Sequence, residues 1–148
     1  MHIANRAELD GIVDGVNDTA ERLVASFWPG PLTIVFSSKD CVSKLVTCGK
    51  STVAVRQPSH PVAKALIEAA QVPVAAPSAN RSGRPSPTLA EVRPVPRVPP
   101  LVEGAHGFLV SQHVKEDLAG SIAGIVDGGA TEDGLESTVC GTHAGLLA

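Results

Sequence analysis

At 148 residues, with 43% apolar and 18% charged side chains, the chain has the size of one domain able to bury a core without staples. Aromatic residues make up only 3%, so the core must come from Val, Leu, Ile and Ala, and too few rings exist for a surface that stacks single-stranded nucleic acid. A formal net charge of −3 argues against nucleic-acid binding by bulk electrostatics and leaves room only for a local basic patch.

In chain order, apolar residues at helical spacing predict helix from Glu8 to Trp28, and Gly11, Gly15 and Asn17 divide it into two pieces. Asp18 with Glu21 has the form of a capping box opening the second piece. Phe27-Trp28-Pro29-Gly30-Pro31 ends the helix, since two prolines close together cannot continue it. Leu32 to Phe36 and Thr52 to Arg56 read as strands. His60-Pro61 opens a helix over Val62 to Ala70, with proline at a position where the missing N–H costs nothing. Val72 to Ala76 reads as a third strand, followed by the polar loop Pro77 to Thr88. Val114 to Leu118 reads as a short helix, Ile122 to Gly129 as strand then turn, and Ser137-Thr138-Val139 as the start of a last strand. Alternating strands and helices predict an α/β (α+β) class with a twisted sheet.

No apolar run approaches the roughly 20 residues needed to span a membrane. Met1 to Arg6 has no apolar signal core. Cys41, Cys48 and Cys140 are odd in number and form no C-x-x-C pair, which disfavours both a disulfide framework and a zinc site. These features predict a soluble protein of the reducing cytoplasm, with a mitochondrial form left open.

Chemistry concentrates in a few places. The Ser/Asn/Gly loop after a buried-type strand suits phosphate, because Gly83 permits close approach and Arg81 and Arg84 bring charge. An ordinary polar loop has the same composition, and no Walker or dinucleotide spacing is present. Arg56 at a strand end suits a bidentate carboxylate, but a surface arginine looks identical. Glu136-Ser137-Thr138 places hydroxyls just past a turn, but on the residues alone it reads as a simple strand start. Trp28 reads as a core anchor fixing a sharp turn, and His60 as a substitute helix cap. No His, Cys or carboxylate pair has metal-ligand spacing.

The order of these pieces is more specific than any one of them. Phe27-Trp28-Pro29-Gly30-Pro31-Leu32-Thr33, Thr52-Val53-Ala54-Val55-Arg56-Gln57-Pro58, the run Ala76 to Thr88, Asp127-Gly128-Gly129 and Gly134-Leu135-Glu136-Ser137-Thr138-Val139 together resemble the YrdC-domain family, and within it the branch forming threonylcarbamoyl-AMP. The resemblance implies a twisted mixed sheet with flanking helices around a concave basic cavity. It implies a nucleotidyltransferase joining L-threonine, bicarbonate and ATP into threonylcarbamoyl-adenylate with release of pyrophosphate, in service of tRNA threonylcarbamoyladenosine. By the same resemblance Thr52, Ser78 and Ser86 contact ATP, and His2, Arg56, Ala76 and Ser137 contact L-threonine. ATP enters as a substrate, with Mg²⁺ on its phosphates rather than in a protein cage. No membrane is involved, and tRNA-modification machinery lies downstream.

The chain also departs from the family. A Pro-Thr-Glu-Thr-x-Tyr-Gly-Leu segment and a Lys-x-Arg pair that precede the family histidine are absent, as is the continuation beyond Cys140 toward Arg-Pro-Gly. The expectation is one partial domain over 1–148, incomplete at both ends, with impaired turnover and an exposed strand edge. Val92 to Gln112 is too proline-rich for helix or central strand. It reads either as a loop insertion or as a translated intron, since every valine codon begins GT, one glutamine codon ends AG, and joining Glu91 to His113 restores a continuous helix. Two alternatives of function stand beside the main one: a non-catalytic module binding tRNA or double-stranded RNA by shape, and the related carbamoyl-adenylate domain of hydrogenase maturation, which the Trp28 to Pro31 and Ser86 to Thr88 pieces disfavour.

Overall fold

The computed structural model describes residues 1–79, 114, 118, 120–126, 128 and 137–142. Two compact units divide the chain: Met1–Ala76 with Ser137–Ala148, and Pro77–Glu136.

In the first unit Asn5 caps a 3₁₀ turn, Arg6–Glu8, that runs into α1 (Leu9–Ile12). The second helical piece, α2 (Asp18–Phe27), is capped one residue earlier than the capping box suggests. The Asn17 carboxamide oxygen accepts from the Ala20 N–H at 2.8 Å, leaving Asp18 and Glu21 to favour the helix dipole from the first turn. Arg6 bonds both Asp10 and Glu21, tying the 3₁₀ turn to α2. Ala20 and Val24 are the residues that α2 buries.

β1 (Leu32–Ser37) alternates buried and half-buried positions, so Leu32, Ile34 and Phe36 face the core while Thr33, Val35 and Ser37 face the other way. α3 (Lys44–Thr47), which the sequence reading missed, is one turn capped by the Ser43 hydroxyl and closed by Cys48 in the left-handed region at φ 52°. So short an apolar run carries no periodicity that would reveal a helix. β2 (Thr52–Val55) pairs antiparallel with β1, from Ile34↔Val55 to Ser37↔Thr52. α4 (Pro61–Ala70) begins on proline, as expected, although His60 makes no side-chain cap bond. β3 (Thr138–Gly141) pairs parallel with β1, from Leu32↔Thr138 to Val35↔Gly141. The described strands form a mixed sheet in the order β2-β1-β3. Its core is aliphatic, with Phe36 the large ring in it at 2% exposure. This is the mixed α/β class expected.

Two expected strands are not formed. From Val72 to Ala76 only the Val74 bridge to His2 remains, because Pro73 has no N–H to give a ladder. From Ile122 to Val126 no strand forms. Ile122 and Val126 are 42% and 66% exposed, and Gly124 offers no side chain to pack. Val114 and Leu118 are helical as expected, and the segment 92–112 lies outside the described residues.

Phe36→Ala is expected to cost about 3–5 kcal/mol, because it empties a closed core position. Leu45→Ala, at 91% exposure, is expected to change stability by less than about 0.5 kcal/mol. Urea denaturation of the two variants checks the contrast.

Candidate functional site

The face of the sheet turned away from the core gathers the candidate residues. On β1 it carries Thr33, Val35 and Ser37, and on β2 the half-buried Thr52 and exposed Ala54. The register Ile34↔Val55, continued one step, sets Arg56 across from Thr33 on that face. On the other side of β1, Thr33↔Val139 sets Ser137, two residues earlier, on the same face as well. The Thr33 hydroxyl donates to the Ser137 oxygen at 3.1 Å, and the Thr138 N–H donates to the Pro31 carbonyl at 3.1 Å. Arg56 and Ser137 thus flank one strand, Ser137 displaced by two residues along it, with backbones about 12 Å apart from two interstrand spacings and two residues of strand rise.

His2 is placed by backbone bonds on both sides. Its N–H donates to the Val74 carbonyl at 2.7 Å and its carbonyl accepts from the Val74 N–H at 2.9 Å. The Arg56 N–H donates to the Met1 carbonyl at 3.0 Å, and the Arg56 carbonyl accepts from the Ile3 N–H at 3.1 Å. His2 therefore lies between Arg56 and Val74, bridged to both. Ala76 follows two residues past Val74 and is exposed.

The turn at residues 28–31 carries the arginine. Arg56 Nε donates to the Gly30 carbonyl at 2.9 Å, and the Gly30 N–H donates to the Gln57 carbonyl at 2.9 Å. A Cβ on Gly30 would stand 2.3 Å from the Phe27 carbonyl oxygen, a backbone atom that cannot swing aside, so the position requires glycine. Trp28 packs against the core, joins Pro29 through a cis peptide and donates from Nε1 to the Leu32 carbonyl at 2.7 Å. The reading of Trp28 as the anchor of a sharp turn holds.

Burial lowers the pKa of the half-buried Arg56 guanidinium. Among the described residues no carboxylate pairs with it; their ion pairs belong to Arg6 and Lys64. A guanidinium oriented through Nε, with its terminal nitrogens given to no other described group, is prepared for an anion. His2 is held below its ordinary pKa by burial first, then by the Met1 ammonium and Arg56, against a smaller opposing effect of the Val74 backbone bond. It is a neutral imidazole at pH 7. No cluster of three His, Cys, Asp or Glu able to hold a metal exists among the described residues.

The structure thus brings His2, Arg56 and Ser137 to one end of the sheet. Thr52 is not with them: it pairs with Ser37 at the far end of β2, about 13 Å from Arg56 at strand rise. Ser78 is exposed and belongs to the second unit, while Ser86 lies outside the described residues. Gly30 and Thr33 were missed as functional positions. In the sequence Gly30 read as a helix breaker and Thr33 as a strand former, and only the register shows what each holds.

Such a layout is a mixed α/β domain whose sheet has one packed face and one polar face that offers a cation, an imidazole and a hydroxyl. The sequence model of the Sua5/YciO/YrdC family, described as telomere recombination, matches residues 1–93, and the chain belongs to that family. It is 45% identical over 140 residues to the threonylcarbamoyl-AMP synthase of Bacillus subtilis, covering 94% of this chain and 34% of the relative. It is 42% identical over 139 residues to the enzyme of the same name from Pyrococcus abyssi, covering 94% and 35%. Among solved structures, the Pyrococcus abyssi Sua5 protein complexed with L-threonine superposes with a TM-score of 0.77 at 42% identity, covering 95% of this chain and 35% of that one. An alanine double variant of the same protein gives 0.80 at 40% identity, covering 97% and 36%. The chain spans about a third of the length of these relatives.

Gly30→Ala is expected to destabilise the fold by about 2 kcal/mol or more, because backbone must move to admit the methyl group; chemical denaturation measures it. For His2, a folded-state pKa below the unfolded value near 6.5 means that the unfolded chain takes up the proton first. Stability is then flat above about pH 7 and falls as pH drops through 6.5 toward the folded pKa. Thermal midpoints of His2→Gln against the parent over pH 8 to 5 are expected to show a shallower acid decline in the variant.

Proposed function

We propose that this chain is the amino-acid-binding part of a threonylcarbamoyl-AMP synthase, which joins L-threonine, bicarbonate and ATP and releases pyrophosphate. The observation that carries the reading is Arg56: half-buried, oriented by the Gly30 carbonyl, unpaired with any described carboxylate, and on the same face as Ser137. The names of the relatives and the L-threonine in a similar structure supply the ligand class.

In this reading Arg56 takes the L-threonine carboxylate and Ser137 bonds the same amino acid, while neutral His2 and the backbone of Ala76 close the threonine side. A neutral imidazole suits that position, because it adds no cation to repel the substrate ammonium. Thr52, at the far end of β2, is assigned to ATP, as are Ser78 and Ser86 on the family resemblance alone. Catalysis then consists of holding the amino group, bicarbonate and the α-phosphate in line and neutralising the charge that develops. Mg²⁺ travels with the nucleotide phosphates. No described residue is assigned as its ligand, and no step is routed through it. The product serves tRNA threonylcarbamoyladenosine formation in the cytoplasm. Among the described residues no helix is long and apolar enough to cross a membrane. RNA binding by shape draws no support from the described strands, which carry no charged side chain, against the basic stripe that such binding needs.

The same reading treats 1–148 as one partial domain interrupted by 92–112. The family model's match ends at residue 93, where the proline-rich run begins, which supports an insertion there.

Calorimetric titration with L-threonine tests the reading. Arg56→Ala is expected to weaken binding at least about 10-fold, the worth of a charge-assisted bond, and Arg56→Lys to restore little of it because an ammonium cannot reproduce the planar fork. Failure of the parent chain to bind L-threonine overturns the assignment.

A further inference from the structure

The Thr33 to Ser137 hydrogen bond is a contact between two half-buried hydroxyls distant in sequence, and neither packing nor ladder pairing calls for it. Thr33 sits on the central strand and β-branching restricts its χ1, so the position of its hydroxyl oxygen is set before any ligand arrives. Ser137 precedes β3, and its backbone is already fixed by the Thr138 N–H on the Pro31 carbonyl. What Thr33 adds is control of the Ser137 hydroxyl itself. At 3.1 Å from the Ser137 oxygen the Thr33 hydroxyl is placed to donate there, which occupies one lone pair and leaves the Ser137 proton free for another acceptor. A hydroxyl that accepts one hydrogen bond is also a stronger donor in the next.

We propose that Thr33 is a positioning residue of the amino-acid site, which orients Ser137 as a hydrogen-bond donor to an acceptor oxygen of the bound substrate. The inference rests on the assignment of Ser137 to L-threonine and goes beyond it by stating which way the serine bonds and what makes it do so. It selects for ligands that present a carboxylate or carbonyl oxygen to Ser137. A ligand presenting an ammonium there finds one lone pair of the serine already taken.

The test is a double-mutant cycle read by calorimetric titration of the full chain with L-threonine, using Thr33→Val, Thr33→Ser, Ser137→Ala and the Thr33→Val/Ser137→Ala pair. Thr33→Val keeps the strand-forming shape and removes the donor. It is expected to weaken binding about 5-fold, the worth of a neutral hydrogen bond, and Thr33→Ser to recover most of the loss. Because Thr33 acts only through Ser137, the double variant is expected to bind as Ser137→Ala does, with no added penalty. The urea midpoints of all four report folding, so that a loss of binding is separated from a loss of structure. Parental affinity in Thr33→Val while the parent binds L-threonine overturns the positioning role and leaves the functional assignment standing. Additive losses in the double variant overturn it too, since Thr33 would then act independently of Ser137. Absence of binding in the parent, by contrast, removes the functional assignment and this inference with it.

Discussion

Between Trp28 and Thr33 the chain turns sharply and enters the central strand, and that stretch holds both Arg56 and Ser137. The Gly30 carbonyl takes Arg56 Nε, the Pro31 carbonyl takes the Thr138 N–H, and the Thr33 hydroxyl reaches Ser137. Three residues within four positions, Gly30, Pro31 and Thr33, thus orient an arginine at the end of one neighbouring strand and a serine on the approach to the other. The turn can do this because it is itself over-determined. Trp28 is pinned to the Leu32 carbonyl, and Gly30 has no room for a side chain against Phe27. Rigid backbone carbonyls are better orienters than side chains, having no rotamer freedom to lose when a ligand binds.

The mixed pairing of the sheet gives the second half of the arrangement. An antiparallel neighbour on one side and a parallel neighbour on the other bring residues 56 and 137 to the same end of β1, although the chain reaches them from opposite directions. The period-2 alternation then separates two tasks on one strand. Leu32, Ile34 and Phe36 supply hydrophobic stabilisation, and Thr33 supplies chemistry one residue away. Burial on the core face leaves the register no slack, since a slip by one residue would exchange the two faces. The precision of the polar face is in this sense inherited from the apolar one.

Much of this was legible in the residues. β1, β2, α4, the divided N-terminal helix and the start of β3 lie close to where periodicity and proline place them, and Arg56 stood out as a cation at a strand end. What escaped has physical causes. The strand expected at Val72 to Ala76 shrinks to a bridge because Pro73 withholds a donor, and the one expected at Ile122 to Val126 finds no partner among the described residues. The cap fell on Asn17 rather than Asp18 because both types cap well and only the turn geometry chooses between them. Thr33 and Gly30 could not be seen as site residues at all. Their roles depend on strand pairing over more than 20 and 100 positions, for Gly30–Arg56 and Thr33–Ser137 respectively, and local pattern carries no information at that range.

The same geometry explains why Thr52 and Arg56, four positions apart on one strand, belong to different ends of any ligand they share. An extended strand converts four residues into about 13 Å, too far for one amino acid and suited to a nucleotide joined to it. On the proposed reading the amino-acid end is therefore the part of the site that is closely defined, through Arg56, Ser137 and His2. That end also holds the site's clearest electrostatic asymmetry: a half-buried cation beside an imidazole kept neutral by burial and by the charges next to it. Had His2 been protonated, two adjacent cations would oppose both folding and the approach of an ammonium. Keeping it neutral leaves Arg56 as the charged side chain of these three residues, the partner that the proposed reading gives to a carboxylate.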